Sequence, residues 1–362
     1  MRIEAAVVRT GSPVPRIETL ELEPPRADEV LVRIAAVGVC HTDIRVAHRE
    51  GFPRPIVLGH EGAGVVEAVG GAATDLKPGD RVAMSYAFCG HCPVCSGGAP
   101  AYCLQSAQLN FSGGREDGST PLSSGGEPVA RFFGQAAFAT HAVVAAHSVV
   151  KAPEDMPFEL IAPLGCGIQT GAGAILNSLG VRPGQSVAVF GTGSVGLSAV
   201  MAARAAQAAR IIAVDINPDR LELSRELGAD AAIDARQGSP VEAIRRLTGL
   251  GVDIVLNTTD RAEVYLQGIA ALAPLGTFGF VTSPSTGELP LNLSPVLLGG
   301  RKIRGVVQGD SRPREFIPKM IELWRQGRLP IERLVTTYPF EQLAQALADS
   351  EAGRAIKPVL VL

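Results

Sequence analysis

Over its first 150 residues the chain alternates apolar and polar positions in short runs broken by proline and glycine. Glu29–Ala36 and Gly64–Val69 read as half-buried strands, and Pro78–Asp80 reads as a turn before a further strand at Arg81–Met84. The pattern predicts an irregular, β-rich unit. Near residue 155 the period changes. From Ser186 the chain reads as strand, glycine turn, helix and strand. It continues through a helix from Ala262 to Leu272 and strands at 276–281 and 302–307. Strands alternating with helices of this length predict an α/β unit with a doubly wound parallel sheet. Helices at Arg314–Gln326 and Phe340–Ser350 and strands near Leu334–Tyr338 and Lys357–Leu362 continue that sheet poorly. They are expected to fold back onto the β-rich unit.

Composition narrows the picture. The 362 residues are comfortable for two domains, and 46% apolar content fills substantial cores. A formal charge of −3 gives no bulk basic field, so neither nucleic acid nor an anionic membrane is an expected partner. Two uncharged stretches, 162–181 and 183–203, are interrupted by glycine and proline and read as buried elements rather than membrane spans. Arg2, Glu4 and Arg9 interrupt the N-terminus before an apolar segment forms, so no secretory signal is expected and a cytoplasmic location is.

Gly191-Thr-Gly193-Ser194-Val195-Gly196 follows an apolar strand and opens a helix, and Asp215 ends the next strand 19 residues after Gly196. This is the context that a dinucleotide fingerprint requires. The glycines permit the tight turn and close approach of backbone N–H groups to a pyrophosphate, which the helix N-terminus favours. Asp215 is placed to accept from ribose hydroxyls and to repel a 2′-phosphate, which points to NAD rather than NADP.

Six cysteines occur, and in a reducing compartment clustered thiols bind metal more often than they form disulfides. Cys89, Cys92, Cys95 and Cys103 can close an all-sulfur tetrahedron around a structural zinc. His91 is then superfluous and reads as a solvated loop residue. Cys40, His60 and Cys166 each lie in a glycine-flanked turn and together have the composition of a catalytic zinc shell with an open position. Taken singly, such residues are more often small core residues than ligands. His141 and His147 fall in a strand-like apolar stretch, where structural roles are expected.

The motifs GVCHTD at 38–43, GHEGAGVVEAVG at 59–70, KPGDRV at 77–82, the four-cysteine segment, LGCG at 164–167, GTGSVG at 191–196 and VDINPDR at 214–220 run in order along nearly the whole chain. With them the sequence resembles the zinc-containing medium-chain dehydrogenase/reductase family. Within it, NFSGGREDGSTPLS from Asn110, FFGQAAFATHA from Phe132 and GCGIQTGAGAILN from Gly165 are similar to the benzyl (aryl) alcohol dehydrogenases. The resemblance implies a GroES-like catalytic domain over 1–165 and 308–362, with a Rossmann domain inserted at 166–307 and the active site in the cleft. It implies NAD and two zinc ions per subunit. Cys40, His60 and Cys166 would hold the catalytic ion, with Glu61 beside it, and Thr42 would take the substrate proton. His41 and Lys357 would face the pyrophosphate, Arg220 the ribose, and Thr170 and Val195 the nicotinamide side. Many relatives carry a histidine five residues after the first zinc cysteine as the outer end of a proton relay. Here that residue is Arg45, and His48 is out of register.

The expected reaction is reversible oxidation of an alcohol by NAD. Phe52, Phe132, Phe133, Val281 and Val307 are nominated for an uncharged, aromatic-rich pocket that suits benzylic or allylic primary alcohols. Geraniol-type or general aliphatic oxidation is the nearest alternative. Oxidation of S-(hydroxymethyl)glutathione would call for cations at the pocket mouth, where Arg45 is the obvious candidate. A zinc-free quinone reductase is opposed by the six cysteines, and a non-enzymatic NAD-binding protein would be signalled by a lost ligand. The resemblance also implies a homodimer or homotetramer, joined near Gly299–Val307.

Overall fold

The computed structural model describes residues 1–72 and 75–362. They form two compact units. One comprises Met1–Cys166, Arg312–Ile321 and Ile331–Leu362; the other comprises Gly167–Ser311 and Glu322–Pro330.

The strands of the first unit are β1 (Arg2–Val8), β2 (Arg16–Leu22), β3 (Glu29–Gly38), β4 (Ile56–Val57), β5 (Gly62–Val69), β6 (Arg81–Met84), β7 (Leu122–Ser124), β8 (Glu127–Arg131), β9 (His141–Ala145) and β10 (Val149–Lys151). The second unit adds β11 (Ser186–Phe190), β12 (Arg210–Asp215), β13 (Ala231–Asp234), β14 (Val252–Asn257), β15 (Leu272–Phe280) and β16 (Lys302–Gly305). The chain then returns to the first unit with β17 (Val335–Pro339) and β18 (Lys357–Val361).

In the first unit β1, β2, β7, β8 and β4 close into a barrel, and a second sheet runs β10-β6-β5-β3-β18-β17 with β9 also on β3. The tail therefore folds back as its pattern predicts. β18 lies antiparallel to β3, with Val359 opposite Gly38, and Leu360 joins the core built from Val7, Ile34, Val37 and Phe138. The second unit holds a six-stranded, wholly parallel sheet in the order β13-β12-β11-β14-β15-β16. Its inner strands β11, β12 and β14 are mostly apolar runs, as strands covered on both faces require, and Ala188, Phe190, Ile212, Val255 and Phe278 pack together.

Several boundaries differ from the sequence expectation. The helix from Ala262 ends at Ala270, because Leu272 already pairs with Val252 as the first residue of β15. Residues 308–311 belong with the second unit rather than with the return. There Gln169 donates to Gln308 Oε1 at 3.1 Å and Asn177 to the Gly309 carbonyl at 3.1 Å. Glu322–Pro330 also joins the second unit, held in part by Arg328 on the Ala205 carbonyl. Among the described residues no single helix is long and apolar enough to cross a membrane. The helix Gly167–Gly173, inside the first uncharged stretch, is buried at every position.

Candidate active site

The first metal cluster is assembled on Asp43. Cys40 caps the helix His41–His48, and the Cys40 N–H donates to Asp43 Oδ2 at 3.1 Å. The other carboxylate oxygen accepts from the Gly59 N–H at 3.0 Å and from His60 Nδ1 at 2.9 Å. Asp43 is fully buried, so these bonds are its environment. With Nδ1 donating to Asp43, His60 keeps its lone pair on Nε2. That atom is buried with no hydrogen-bond partner in the protein. Ligand atoms of Cys40, His60, Glu61 and Cys166 all lie within 4.8 Å of one another. Two sulfurs, one imidazole nitrogen orphaned toward them and a carboxylate alongside fit a catalytic zinc, and Asp43 supplies the outer partner that orients the histidine.

Electrostatics agree with a cation here. A hydrogen bond from Cys166 lowers the Cys40 thiol well below its ordinary value, with help from the His60 charge and against burial. Burial would lower His60, but the charges of Asp43 and Cys40 outweigh it and raise the imidazole well above its ordinary value. Burial pushes Glu61 up to about 7, although the Lys357 ammonium opposes this. Lys357 is 1% exposed, and Nζ donates to both Glu61 oxygens at 2.9 Å and to the Val39 carbonyl at 3.1 Å. This corrects the expectation that Lys357 faces a pyrophosphate. β18 places it beneath Glu61, and all three ammonium donors are engaged there. Gly38 makes the arrangement possible, because a Cβ on it would meet Glu61 Oε2 at 2.1 Å.

Thr42 is half-buried with Oγ1 3.6 Å from Cys40 Sγ, and His41 is exposed beside it. Arg45 and His48 lie on the exposed side of the same helix, where His48 Nδ1 donates to the Ile44 carbonyl at 2.9 Å.

Aromatic rings cover His60. Phe133 lies 4.6 Å and Phe132 5.5 Å from it between ring centroids. Phe111 lies 5.9 Å from Phe132 and 5.5 Å from Phe133, and Phe52 lies 6.5 Å from Phe111. Three nominated phenylalanines thus share one cluster. Phe111, which sequence reasoning missed, joins them. Val281 and Val307 belong to the second unit. Beyond Phe52, a cavity of about 540 Å³ is lined by Arg9, His48, Arg49 and Arg54, with the Arg49 guanidinium 5.9 Å from the Phe52 ring.

The second metal cluster is local. Cys89, Cys92, Cys95 and Cys103 bring their sulfurs within 4.8 Å of one another. Backbone N–H groups point at them: Cys92 N–H at Cys89 Sγ (3.3 Å), Cys95 N–H at Cys92 Sγ (3.4 Å), and both Cys89 and Gln105 N–H at Cys103 Sγ (3.3 Å). The Leu104 and Cys95 amides lower Cys92 to about 6, whereas burial pushes Cys95 up to about 12. A dication would hold all four as thiolates. All six cysteines are free, and His91 turns its exposed ring outward, with Nδ1 donating to the Cys89 carbonyl at 3.0 Å. His141 sits on β9 beside Glu67, 3.4 Å away, and the His147 ring lies 4.5 Å from that of Phe88.

In the second unit the fingerprint opens the helix Ser194–Ala205, with Gly193 as its N-cap. A Cβ on Gly196 would meet the Gly191 carbonyl oxygen at 1.8 Å, whereas one on Gly193 would meet nothing within 4 Å. The helix start therefore opens onto free space, as an anion bound to it requires. Asp215 Oδ2 accepts from Thr192 N–H (2.5 Å) and Thr192 Oγ1 (2.6 Å), and Oδ1 accepts from the Ile216 (2.7 Å) and Asn217 (2.9 Å) amides. Thr192, absent from the sequence-based candidates, is the buried residue whose amide and hydroxyl hold Asp215 Oδ2. Arg220 is half-buried and its Nε has no partner. Ser194 and Val195 lie in the first turn of the helix, and Thr170 is on the buried helix Gly167–Gly173.

Residues 26–154 match the alcohol dehydrogenase GroES-like domain, and residues 194–325 match the zinc-binding dehydrogenase family. The chain is 48% identical to geraniol dehydrogenase of Castellaniella defragrans over 365 residues, which cover 99% of this chain and 97% of that protein. It matches the crystal structure of an alcohol dehydrogenase zinc-binding domain protein from Burkholderia ambifaria with a TM-score of 0.98 at 50% identity, over 100% of this chain and 99% of that one. It matches benzyl alcohol dehydrogenase from Acinetobacter calcoaceticus with a TM-score of 0.97 at 42% identity, again over 100% and 99%. The chain belongs to the zinc-containing medium-chain dehydrogenase/reductase family, as an alcohol dehydrogenase.

Proposed function

We propose that this alcohol dehydrogenase oxidises aromatic or allylic primary alcohols to aldehydes, reversibly, with NAD and two zinc ions per chain. The observation that carries the substrate class is the run of phenylalanine rings 52, 111, 132 and 133 against His60. Flat, polarisable substrates pack against ring faces and edges better than short aliphatic ones do. The geraniol and benzyl alcohol relatives act on an allylic and a benzylic alcohol, in keeping with such a surface.

Bound zinc lowers the pKa of the alcohol hydroxyl, and bound nicotinamide accepts the hydride. The chain's own residues do the rest. Cys40, His60 and Cys166 would hold the ion, and Asp43 fixes the His60 ring. Thr42 Oγ1 takes the substrate proton and passes its own outward. Lys357 balances Glu61 beside two thiolates, and Phe132 and Phe133 keep water from the face of His60 that they cover. Asp215, anchored by four donors, keeps a fixed negative charge where a 2′-phosphate would lie, which supports NAD over NADP.

The test is NADH formation by purified, zinc-loaded protein with benzyl alcohol, geraniol, ethanol and S-(hydroxymethyl)glutathione. Turnover fastest with benzyl alcohol or geraniol and abolished by chelation is expected. Turnover confined to ethanol overturns the substrate class. A second reading has one observation behind it: Arg9, Arg49 and Arg54 surround the cavity beside Phe52, where the anionic end of a glutathione adduct could bind. Turnover confined to that adduct would favour it.

For assembly, β16 is exposed along its length, and Leu275, Leu297 and Leu298 are 77%, 80% and 86% exposed. An open sheet edge flanked by exposed leucines suits pairing with a second copy, and sedimentation of the protein as a monomer would overturn it. Six free cysteines, grouped as metal ligands, suit a reducing cytoplasm.

A further inference from the structure

Gln135 is buried, and its carboxamide bridges three segments of the first unit. Nε2 donates to the His60 carbonyl and to the Ser85 carbonyl, both at 2.9 Å, and Oε1 accepts from the Gly62 N–H at 3.3 Å. Ser85 follows β6 and is also buried, and its hydroxyl donates to the Gly165 carbonyl at 2.8 Å. Gly165 immediately precedes Cys166. A Cβ on Gly165 would meet the Met84 carbonyl oxygen at 2.0 Å, so the end of β6 lies against the approach to Cys166. Through Gln135 and Ser85 the backbone at His60 is thus tied to the backbone at Cys166.

The turn that carries Gln135 is strained. Phe133 (φ 58°) and Ala136 (φ 57°) flank it in the left-handed region, which residues other than glycine rarely adopt. Backbone bonds hold the turn: the Gln135 and Ala136 N–H groups donate to the Phe132 carbonyl at 3.0 Å, and the Ala137 N–H donates to the Gly59 carbonyl at 2.9 Å. The same turn lays the Phe133 ring 4.6 Å from that of His60. A buried carboxamide is unfavourable unless it is hydrogen-bonded, and an apolar side chain of similar volume would fill the space without that cost. A polar network satisfied in this way fixes orientation, which packing alone does not. Asp43 holds the Gly59 N–H and the His60 ring, and Gln135 holds the His60 carbonyl and the Gly62 N–H. The backbone before and after the histidine is therefore fixed by side chains from two other segments.

We propose that Gln135 is a positioning residue for the alcohol oxidation: with Ser85 it sets the separation of His60 and Cys166, and so the coordination geometry of the catalytic ion. It rests on the reading of Cys40, His60 and Cys166 as the ligands of that ion. It does not depend on which alcohol is oxidised. Both residues act through backbone groups next to the ligands, Gln135 on the His60 carbonyl and Ser85 on the Gly165 carbonyl.

The experiment exchanges cobalt(II) into the Cys40–His60–Cys166 cluster of the full-length protein and compares wild type with Gln135→Met, Ser85→Ala and Asn110→Leu. Methionine keeps the length of glutamine and removes its donors. Asn110 is the control for loss of a buried amide: it is equally buried, and its carboxamide bonds the Ala87 N–H, the Ala87 carbonyl and the Ser106 carbonyl, each at 2.9 Å, with no metal ligand among them. Gln135→Met should shift the visible absorption of the bound cobalt and weaken its retention against a chelator about 10–100-fold, while the four-thiol cluster keeps its metal. Ser85→Ala should weaken retention about fivefold, the loss of one hydrogen bond between neutral groups. Asn110→Leu should lower the unfolding temperature and leave both the absorption and the retention of this cobalt as in wild type. A wild-type spectrum and retention in Gln135→Met, or the same changes in Asn110→Leu, would overturn the proposal. Wild-type retention in Ser85→Ala would overturn the link to Cys166, and this variant decides if Gln135→Met does not fold. Failure of the wild type to take up cobalt at this cluster would overturn the ligand reading itself, and the positioning role with it.

Discussion

The two metal clusters of the first unit solve the same problem in opposite ways. The four-thiol lobe draws its ligands from fifteen consecutive residues, 89–103, and satisfies the sulfurs with neighbouring backbone N–H groups. The Cys40–His60–Cys166 cluster draws on segments separated by up to 126 positions and depends on buried side chains, Asp43 and Lys357, for orientation and charge. A local cluster with a closed shell can only hold structure. A dispersed one with an orphaned nitrogen and a neighbouring carboxylate is arranged for chemistry, and its geometry is only as good as the fold around it.

The sharpest break between the two is ligand removal. His60→Ala should reduce kcat/KM on the order of 10⁴-fold, about 5.5 kcal/mol of transition-state stabilisation, and release the first metal while the thiolate-bound one stays. Cys95→Ser should instead lower the unfolding temperature and release the second metal. Metal analysis and activity assays of both variants check this, and loss of both metals from either variant would erase the distinction. Next in size, Lys357→Met strands a buried carboxylate and should destabilise the chain by about 3–5 kcal/mol in denaturant unfolding, most of which returns when Glu61→Gln is added. Asp43→Asn should weaken retention of the catalytic metal 10–100-fold and leave the thiolate-bound metal untouched, as chelator competition would report. Phe111→Ala should narrow the preference for benzyl alcohol over ethanol by about tenfold, measured as a ratio of kcat/KM values. The smallest effect is in the metal-stripped lobe. Cys92 titrates near 6 when folded against an ordinary 9.0, so its contribution to stability is complete above pH 9 and lost as pH falls through 6. Loss of the pH dependence of unfolding over that range in Cys92→Ser would confirm the assignment.

The same contrast explains what could be read from the sequence. The lobe was legible because its spacing is its geometry. The parallel sheet was legible because alternation of strand and helix periods dictates it, and the return of the tail because its strands fit nowhere in that sheet. Cys40, His60 and Cys166 could be grouped only through the family resemblance, since nothing in their local sequence brings them together. Asp43 was visible only as a letter in a motif. Its three bonds connect positions 40, 59 and 60, and helix capping at Cys40 was the one local sign of it. Lys357 was placed at the pyrophosphate through the resemblance alone, and only the register of β18 on β3 reveals it as buried. Thr192 escaped because its partner lies 23 residues away, and Phe111 because aromatic clustering is tertiary.

The pairing of Lys357 with Glu61 spans 296 residues, and β18 occupies an interior position in the sheet that carries β3. During synthesis, most of the second unit leaves the ribosome before β18 exists, so the unit that starts last has nearly all its strands available first. The catalytic unit waits with Glu61 unneutralised and one edge of β3 unpaired until β18 emerges. A nascent chain stalled between Cys166 and Lys357 would carry every zinc ligand and still lack the ammonium that makes their burial tolerable.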